Sequence, residues 1–208
     1  MTDFQFDERA AEWDRDPVRV ERARAVAEAI RGAIPAGPGT RMLEYGCGTG
    51  LLSFALQPFP GRIVLADTSQ GMLDVLALKI EAARVLNMEP QRLDLLTDSL
   101  PEERFDLLCS LLTLHHIPDT VTVLHRFHDV LKPGGSLALA DLDTEDGSFH
   151  GMDVTDIHRG FDRSELQARL EAAGFTGVRF STVYTIRKPV EDVEREYPMF
   201  LAIARREA

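Results

Sequence analysis

From position 44 the chain reads Glu44-Tyr45-Gly46-Cys47-Gly48-Thr49-Gly50, three glycines in five positions, with a short apolar-rich stretch before it (42–45) and another after it (51–56). A backbone that leaves a strand and enters a helix within so few residues must bend sharply. Glycine accepts positive φ there and puts no Cβ into the space beyond the bend. The pattern predicts a strand, a tight turn and a helix, with main chain in close contact with a ligand; an ordinary turn is the plainer alternative. Asp67 ends a second predicted strand, 62–66, and stands 21 residues after Gly46. At that separation an acidic side chain meets ribose hydroxyls in nucleotide-binding βαβ units; helix capping is the competing role for Asp67.

The remaining segments continue the alternation. Asp16-Pro17 predicts a helix start, because Asp accepts from free backbone N–H groups and Pro fits the first helical position. Ala23, Val26, Ala27, Ile30 and Ile34 then recur at helical spacing. Ser69 is placed to cap a helix that buries Met72, Leu73, Leu76, Ile80 and Ala83. Further strands are predicted at 91–93, 105–111 and 136–140, and a helix at 118–131 with Val121, Leu124 and Leu131 inward. The capping box at Asp162 to Glu165 opens another helix, which Gly174 closes. Two last strands, 178–184 and 199–205, follow each other without a helix and are expected to form an antiparallel hairpin, the acidic run from Glu191 to Glu196 being their solvated turn. Strands alternating with helices imply a parallel sheet covered on both faces, with ligands at the carboxyl ends of the strands. Residues 141–160 form the one long connection lacking periodicity, a candidate substrate loop.

Composition narrows the function. The 208 residues carry 23 Lys+Arg against 34 Asp+Glu, a net charge of −11 that works against a nucleic-acid partner. Two cysteines, Cys47 and Cys109, are too few for a disulfide framework and point to a reducing cytosol. The N-terminal residues lack the basic patch and apolar run of a leader, and the longest nearly apolar stretch, 107–114, is too short to span a bilayer, so no membrane role is expected.

The nature of the nucleoside follows from the turn. Gly46, Gly48 and Gly50 spell GxGxG, with Leu51 where the third glycine of a dinucleotide fingerprint belongs. A charged Glu44 beside the turn would repel a pyrophosphate by roughly a few kcal/mol at an effective dielectric near 20. A cationic, phosphate-free nucleoside such as S-adenosylmethionine suits those carboxylates better. Here the chain resembles the class I S-adenosylmethionine-dependent methyltransferases. Leu43 to Gly50 resembles their first motif and Ala66-Asp67-Thr68-Ser69 with Met72-Leu73 their second. Asp94-Leu95 ahead of Leu100-Pro101 is similar to the segment beside the adenine, Phe105-Asp106 through Ser110 to the fourth strand, and Leu131 to Gly135 to the turn before the fifth. Tyr45 departs from the usual aliphatic residue, and Trp13 from a frequent Tyr. The resemblance implies a three-layer αβα sandwich around a mostly parallel seven-stranded sheet whose last strand is antiparallel. It also implies cofactor contacts at Glu44, Gly46, Cys47, Gly48, Gly50, Asp67, Thr68, Met72, Asp94, Leu95 and Ser110.

Methyl transfer is an in-line displacement that depends chiefly on alignment, and a base is required only where the nucleophile carries a proton. His115 and His116 follow the fourth strand on the rim and are the candidate catalytic residues. His150 and His158, with Asp141, Asp143, Phe149 and Phe161, are candidates for substrate contact in the long connection. His125 and His128 read as a solvated helix face, Cys47 as a small side chain, and no metal is assigned. Trp13 and Phe4 are placed to close over the cofactor from a helical cap segment, 1–35. The expected protein is one domain over 1–208, a monomer or homodimer that methylates a small molecule, since few residues remain for a separate substrate domain. A non-catalytic sensor of the same cofactor and an NAD-dependent oxidoreductase are the alternatives.

Overall fold

The computed structural model describes residues 3–151, 157–191 and 193–207, with 3–5 described by backbone alone. Seven strands form one sheet: β1 (Arg41–Tyr45), β2 (Arg62–Asp67), β3 (Met88–Arg92), β4 (Phe105–Leu111), β5 (Leu131–Leu142), β6 (Phe175–Val190) and β7 (Val193–Arg206). Their order is β3-β2-β1-β4-β5-β7-β6, and β7 alone runs antiparallel to its neighbours, between β5 and β6. The helices are α1 (Asp3–Arg9), α2 (Pro17–Ala33), α3 (Leu51–Leu56), α4 (Gln70–Ala83), α5 (Thr120–Val130) and α6 (Arg163–Ala172).

Each central strand is apolar on both faces, and the alternation of its side chains assigns them to two cores. Leu43, Val64, Leu137 and Phe200 meet α5 and α6 on one face, while Met42, Ile63, Leu65 and Leu201 meet α2, α3 and α4 on the other. This is the three-layer αβα arrangement, and its strands read as continuous hydrophobic runs because neither face is wet. The caps form where expected: Asp16 accepts from the Val18 amide, Ser69 from Met72, and Asp162 from Ser164 and Glu165. Among the described residues no helix is long and apolar enough to cross a membrane.

Several boundaries differ from expectation. β3 spans Met88–Arg92 rather than 91–93, and Pro90 sits inside it. As an edge strand pairing only with β2, β3 has one side where a missing N–H costs no ladder bond. α5 starts at Thr120 after an Asp119 cap, and it buries Val123, Leu124, Phe127 and Val130 while Val121 is exposed. Leu131 is already strand. The final hairpin extends well past its expected ends, so Val193 to Glu196 pair with β6 instead of forming a turn; Asp192 lies outside the described residues. The extension is masked in the sequence because its outer part is polar, held by backbone pairing and cross-strand ion pairs such as Arg187 with Glu196.

Phe127 links helix and sheet: it is fully buried and meets the Tyr45 ring edge-to-face at 5.3 Å between centroids. Phe127→Ala is expected to lower the unfolding free energy by about 3–5 kcal/mol in chemical denaturation, through lost transfer energy and the cavity left behind.

Candidate active site

A cavity of about 600 Å³ opens at the carboxyl ends of the strands, lined from β1, β2, β4, the long connection, β6 and the N-terminal segment. It straddles the gap between β1 and β4, where the strand order reverses and α/β sheets bind ligands.

On one side lies the glycine turn. The Gly46 and Cys47 amides both donate to the Ala66 carbonyl, at 2.8 and 3.0 Å, and the Gly48 amide donates to Asp67 Oδ2 at 2.7 Å. Asp67 Oδ1 in turn accepts from the Ser69 amide at 2.9 Å. Asp67 therefore joins two turns, with its side chain at the cavity wall, while the capping of α4 falls to Ser69. Gly46 (φ +70°) leaves no room for a side chain, since a Cβ would lie 2.2 Å from the Thr113 side chain. Beyond Gly48 (φ +52°) the nearest protein atom is Met72 Sδ at 3.9 Å, so the space a side chain would fill belongs to the cavity.

Glu44 has a different role from the one its position suggested. It is buried beneath the turn, where its carboxyl accepts from the Ser53 amide at 3.1 Å and from the Ser53 hydroxyl, capping α3 from below. Burial pushes its pKa up to about 8, against the pull of the Ser53 bonds. It is thus mostly uncharged at pH 7, and the repulsion of a pyrophosphate cannot rest on it; the remaining carboxylates lining this half are Asp67 and Asp94.

Gly46, Cys47, Gly48, Thr68, Met72 and Asp94 line the cavity, and Gly50 closes the turn through a bond from its amide to the Cys47 carbonyl. Burial raises the Cys47 thiol well above its ordinary range, against a nucleophilic role. Asp94 accepts from the Leu96 amide at 2.8 Å, and that turn sends Leu96 to the cavity and Leu95 into the core. Leu95, expected at the adenine, instead donates its amide to the Tyr45 hydroxyl at 3.2 Å. Ser110 likewise does not line the cavity. It is buried, and its hydroxyl donates to the Tyr45 carbonyl at 3.0 Å, a bond between β4 and β1. Strand alternation makes the difference, because neighbouring side chains point to opposite faces.

On the other side stand the histidines. Leu112, at φ +52°, ends β4 in a conformation rarely adopted outside glycine, and the chain then enters a short 3-10 turn, Leu114–His116, at the cavity. His115 is buried, with Nδ1 2.6 Å from Asp141 Oδ1 and Nε2 3.0 Å from His150 Nε2. Asp141 accepts only, so His115 carries its proton on Nδ1 and presents the Nε2 lone pair to the cavity side. Burial and the neighbouring histidines hold His116 far below its ordinary pKa, and His150 at about 4. The Nδ1 atom of His116 is buried and has no hydrogen-bond partner among the described residues. His158 plays a supporting part: its amide donates to the His115 carbonyl at 2.8 Å and its Nε2 lies 3.0 Å from the Ile117 carbonyl. Phe161 is core, and Asp143 pairs with Arg163. His125 is exposed, and His128 packs its ring on Phe175.

The N-terminal segment covers the opening. Asp7 accepts from the Ser69 hydroxyl and from the Gly71 amide at 2.8 Å, and Asp14 bonds Thr49 and Lys79, so the segment is tied to both turns. Phe6, which the pattern did not single out, packs edge-to-face on His116 and Trp13 at 5.2 and 5.9 Å; the Phe4 side chain lies outside the described residues. Arg19 stacks over Trp13 at 3.9 Å. Arg22, Arg187 and Lys188 line the same half and also escaped the sequence reading, since a cation on an outer helix face or a polar hairpin looks solvent-exposed. Arg22 makes no hydrogen bond or ion pair with the described residues, and burial lowers its pKa to about 10.

Residues 42–135 match the methyltransferase domain family model. A methyltransferase domain occupies that stretch of the chain. It is 35% identical over 111 residues to the 2-phytyl-1,4-naphtoquinone methyltransferase of Synechococcus elongatus, covering 51% of this chain and 48% of the relative. The chain spans about half the length of the curated relatives it matches. In three dimensions it resembles a chain from the Haloferax volcanii complex of the Trm112 methyltransferase activator with a methyltransferase (TM-score 0.79, 19% identity, 98% of each chain). It also resembles Haemonchus contortus phosphoethanolamine N-methyltransferase 2 in complex with S-adenosylmethionine (TM-score 0.72, 16% identity, 88% of this chain and 52% of that one). The family match begins at β1 and ends in the Gly134-Gly135 bend of β5, so it contains the glycine turn, Asp67, Asp94 and the two adjacent histidines, whereas Asp141, His150 and the cationic residues lie outside it.

The buried Glu44 makes stability depend on pH. Its folded pKa of about 8 exceeds its ordinary 4.5, so the folded state binds the proton more tightly and loses stability as pH rises between those values. Relative to Glu44→Gln, the wild-type unfolding free energy is expected to fall by about 1.4 kcal/mol per pH unit from pH ~5 to ~8. Parallel profiles for the two proteins in urea titrations would remove the neutral-carboxyl assignment.

Proposed function

We propose that the chain is an S-adenosylmethionine-dependent methyltransferase acting in the cytosol on the hydroxyl of a small, anionic acceptor. The observation that carries this reading is one cavity with two unlike halves. A glycine turn with carboxylates lies beside β1 and β2, and a histidine–aspartate pair with cations lies beside β4 to β6.

The residues present fit the cofactor. The backbone around Gly48 leaves a cradle that a Cβ would fill, and Met72 and Cys47 offer apolar wall. Asp67, Thr68 and Asp94 would hold the polar nucleoside groups. When bound, the cofactor supplies an electrophilic methyl group on a sulfonium. The protein's own part is alignment, and positioning of this kind is worth roughly 7–11 kcal/mol of a barrier. His115 serves as the proton acceptor for the substrate hydroxyl, because Asp141 fixes its tautomer and steadies the charge it gains. A base of this type is needed for an oxygen nucleophile and idle for a thiolate, which favours the hydroxyl. Arg22 and Lys188 supply the anion-binding charge in a protein that is otherwise strongly acidic, while Arg187 beside them is paired with Glu196. Phe6 and Trp13 exclude water over the histidines. The buried free cysteines accord with a reducing compartment.

Asp67→Ala is expected to weaken S-adenosylhomocysteine binding by about 1–3 kcal/mol, or roughly 5- to 150-fold, in calorimetric titration. Unchanged affinity there, or tight NAD(H) binding in its place, overturns the cofactor assignment. Arg22→Gln is expected to raise KM for anionic acceptors in a metabolite-pool assay and to leave S-adenosylhomocysteine affinity unaltered. A KM that does not move removes the anion from the acceptor class.

A further inference from the structure

The three histidines at the acceptor end are arranged for more than proton transfer. One ring nitrogen from each of His115, His116 and His150 lies within 4.8 Å of the others. They come from separate parts of the chain, the turn after β4 and the connection after β5, and the fold gathers them at the cavity wall. His150 Nε2 lies 3.0 Å from His115 Nε2 and donates to its lone pair; moving the His150 proton to Nδ1 makes both Nε2 atoms available to one ion. Tetrahedral coordination with metal–nitrogen bonds of 2.0–2.1 Å requires nitrogens roughly 3.3 Å apart, a few tenths of an ångström wider. His150 is half-buried, its ring packed edge-on against Phe149, and the exposed Gly151 follows it.

Two further features separate this cluster from rings that merely pack. Asp141 accepts the Nδ1 proton of His115, and a carboxylate behind a histidine in this way is what orients a metal-binding imidazole. The Nδ1 atom of His116 is buried without a partner among the described residues, an arrangement that packing against Phe6 does not satisfy.

We infer that His115, His116 and His150 form a binding site for a divalent transition-metal ion at the acceptor end of the cavity. The donors are three neutral imidazoles with no carboxylate among them, a set that suits zinc, cobalt, nickel or copper and disfavours magnesium and calcium. Three protein ligands on a cavity wall leave the remaining coordination positions toward the acceptor, as in catalytic rather than structural sites. The role at the acceptor rests on the methyl-transfer reading above, while the site itself does not. With the ion on its Nε2, His115 would no longer accept the acceptor's proton; the ion would instead lower the pKa of an acceptor hydroxyl bound to it, which loses its proton to solvent before the transfer, and would share with Arg22 the holding of an anionic substrate.

The test uses the full chain, free of a polyhistidine tag and stripped with a chelator, titrated with cobalt(II) chloride by visible absorption and with zinc(II) chloride in competition with a chromophoric chelator. One equivalent of each ion is expected to bind, cobalt(II) with the intense bands of a low-coordinate nitrogen site. His150→Gln and His116→Ala are expected to abolish those bands, Asp141→Asn to weaken binding by about 10- to 100-fold, and His125→Ala on the exposed face of α5 to change nothing. Circular dichroism melts identify any variant that does not fold, and His150→Gln, in a connection rather than the core, keeps the test open if Asp141→Asn fails. Binding that is absent from wild type, or unaltered by His150→Gln, overturns the site. S-adenosylhomocysteine titration of the same samples separates the two readings. Cobalt(II) bound through the histidines without nucleoside binding overturns the methyl-transfer reading and leaves the site standing, whereas nucleoside binding without cobalt(II) does the reverse.

Discussion

The carboxylate of Asp67 is the joint on which the cavity depends. It takes the Gly48 amide at 2.7 Å and the Ser69 amide at 2.9 Å, so the turn leaving β1 and the turn leaving β2 are held as one surface. Hydrogen bonds to a charged acceptor are worth about 1.5–3 kcal/mol each, more than their neutral counterparts. Two of them acting on adjacent turns give the glycine loop a single shape despite its backbone freedom. The Ala66 carbonyl completes the joint by accepting from Gly46 and Cys47, which makes the loop an extension of the sheet rather than a flexible insertion.

Around that joint the molecule sorts charge by half. Glu44 lies underneath, buried and mostly neutral near pH 7, where its burial gives α3 a cap and makes stability depend on pH. Asp67 and Asp94 remain at the glycine-turn half. The opposite half gathers cations from α2 and the final hairpin, in a chain whose net charge is −11. Between them the histidines occupy the β4 and β5 ends. The N-terminal segment then closes the assembly, because Asp7 and Asp14 anchor it to the same two turns that Asp67 joins. Cover and turns are therefore mechanically one unit.

Much of this was legible before any coordinates. Asp16, Ser69 and Asp162 are caps whose geometry is local, so their residue types were sufficient. The apolar runs of β1, β2, β4 and β5 stand out because both faces of the sheet are dry. What misled is equally local in origin. Leu95 and Ser110 belong to motif-bearing segments, yet strand and turn alternation aims them away from the cavity, and their neighbour Leu96 and the following Thr113 stand in it instead. The outer hairpin was hidden since its polar pattern carries no burial signal; its strands exist through each other's backbone, and Arg187 and Lys188 reach the cavity only because the hairpin is that long.

By itself the sequence determined the alternating architecture, the glycine turn and the acidic partner 21 residues on, because each of these rests on short-range backbone geometry and hydrophobic period. Only the tertiary structure decided that Glu44 is buried and mostly neutral, that Phe6 joins Trp13 over the site, and that His150 joins His115 and His116. Those outcomes depend on which distant segments meet and how much water they exclude, and neither a pKa nor a cluster of ligating nitrogens exists until the sheet has brought the ends of β4 and β5 together.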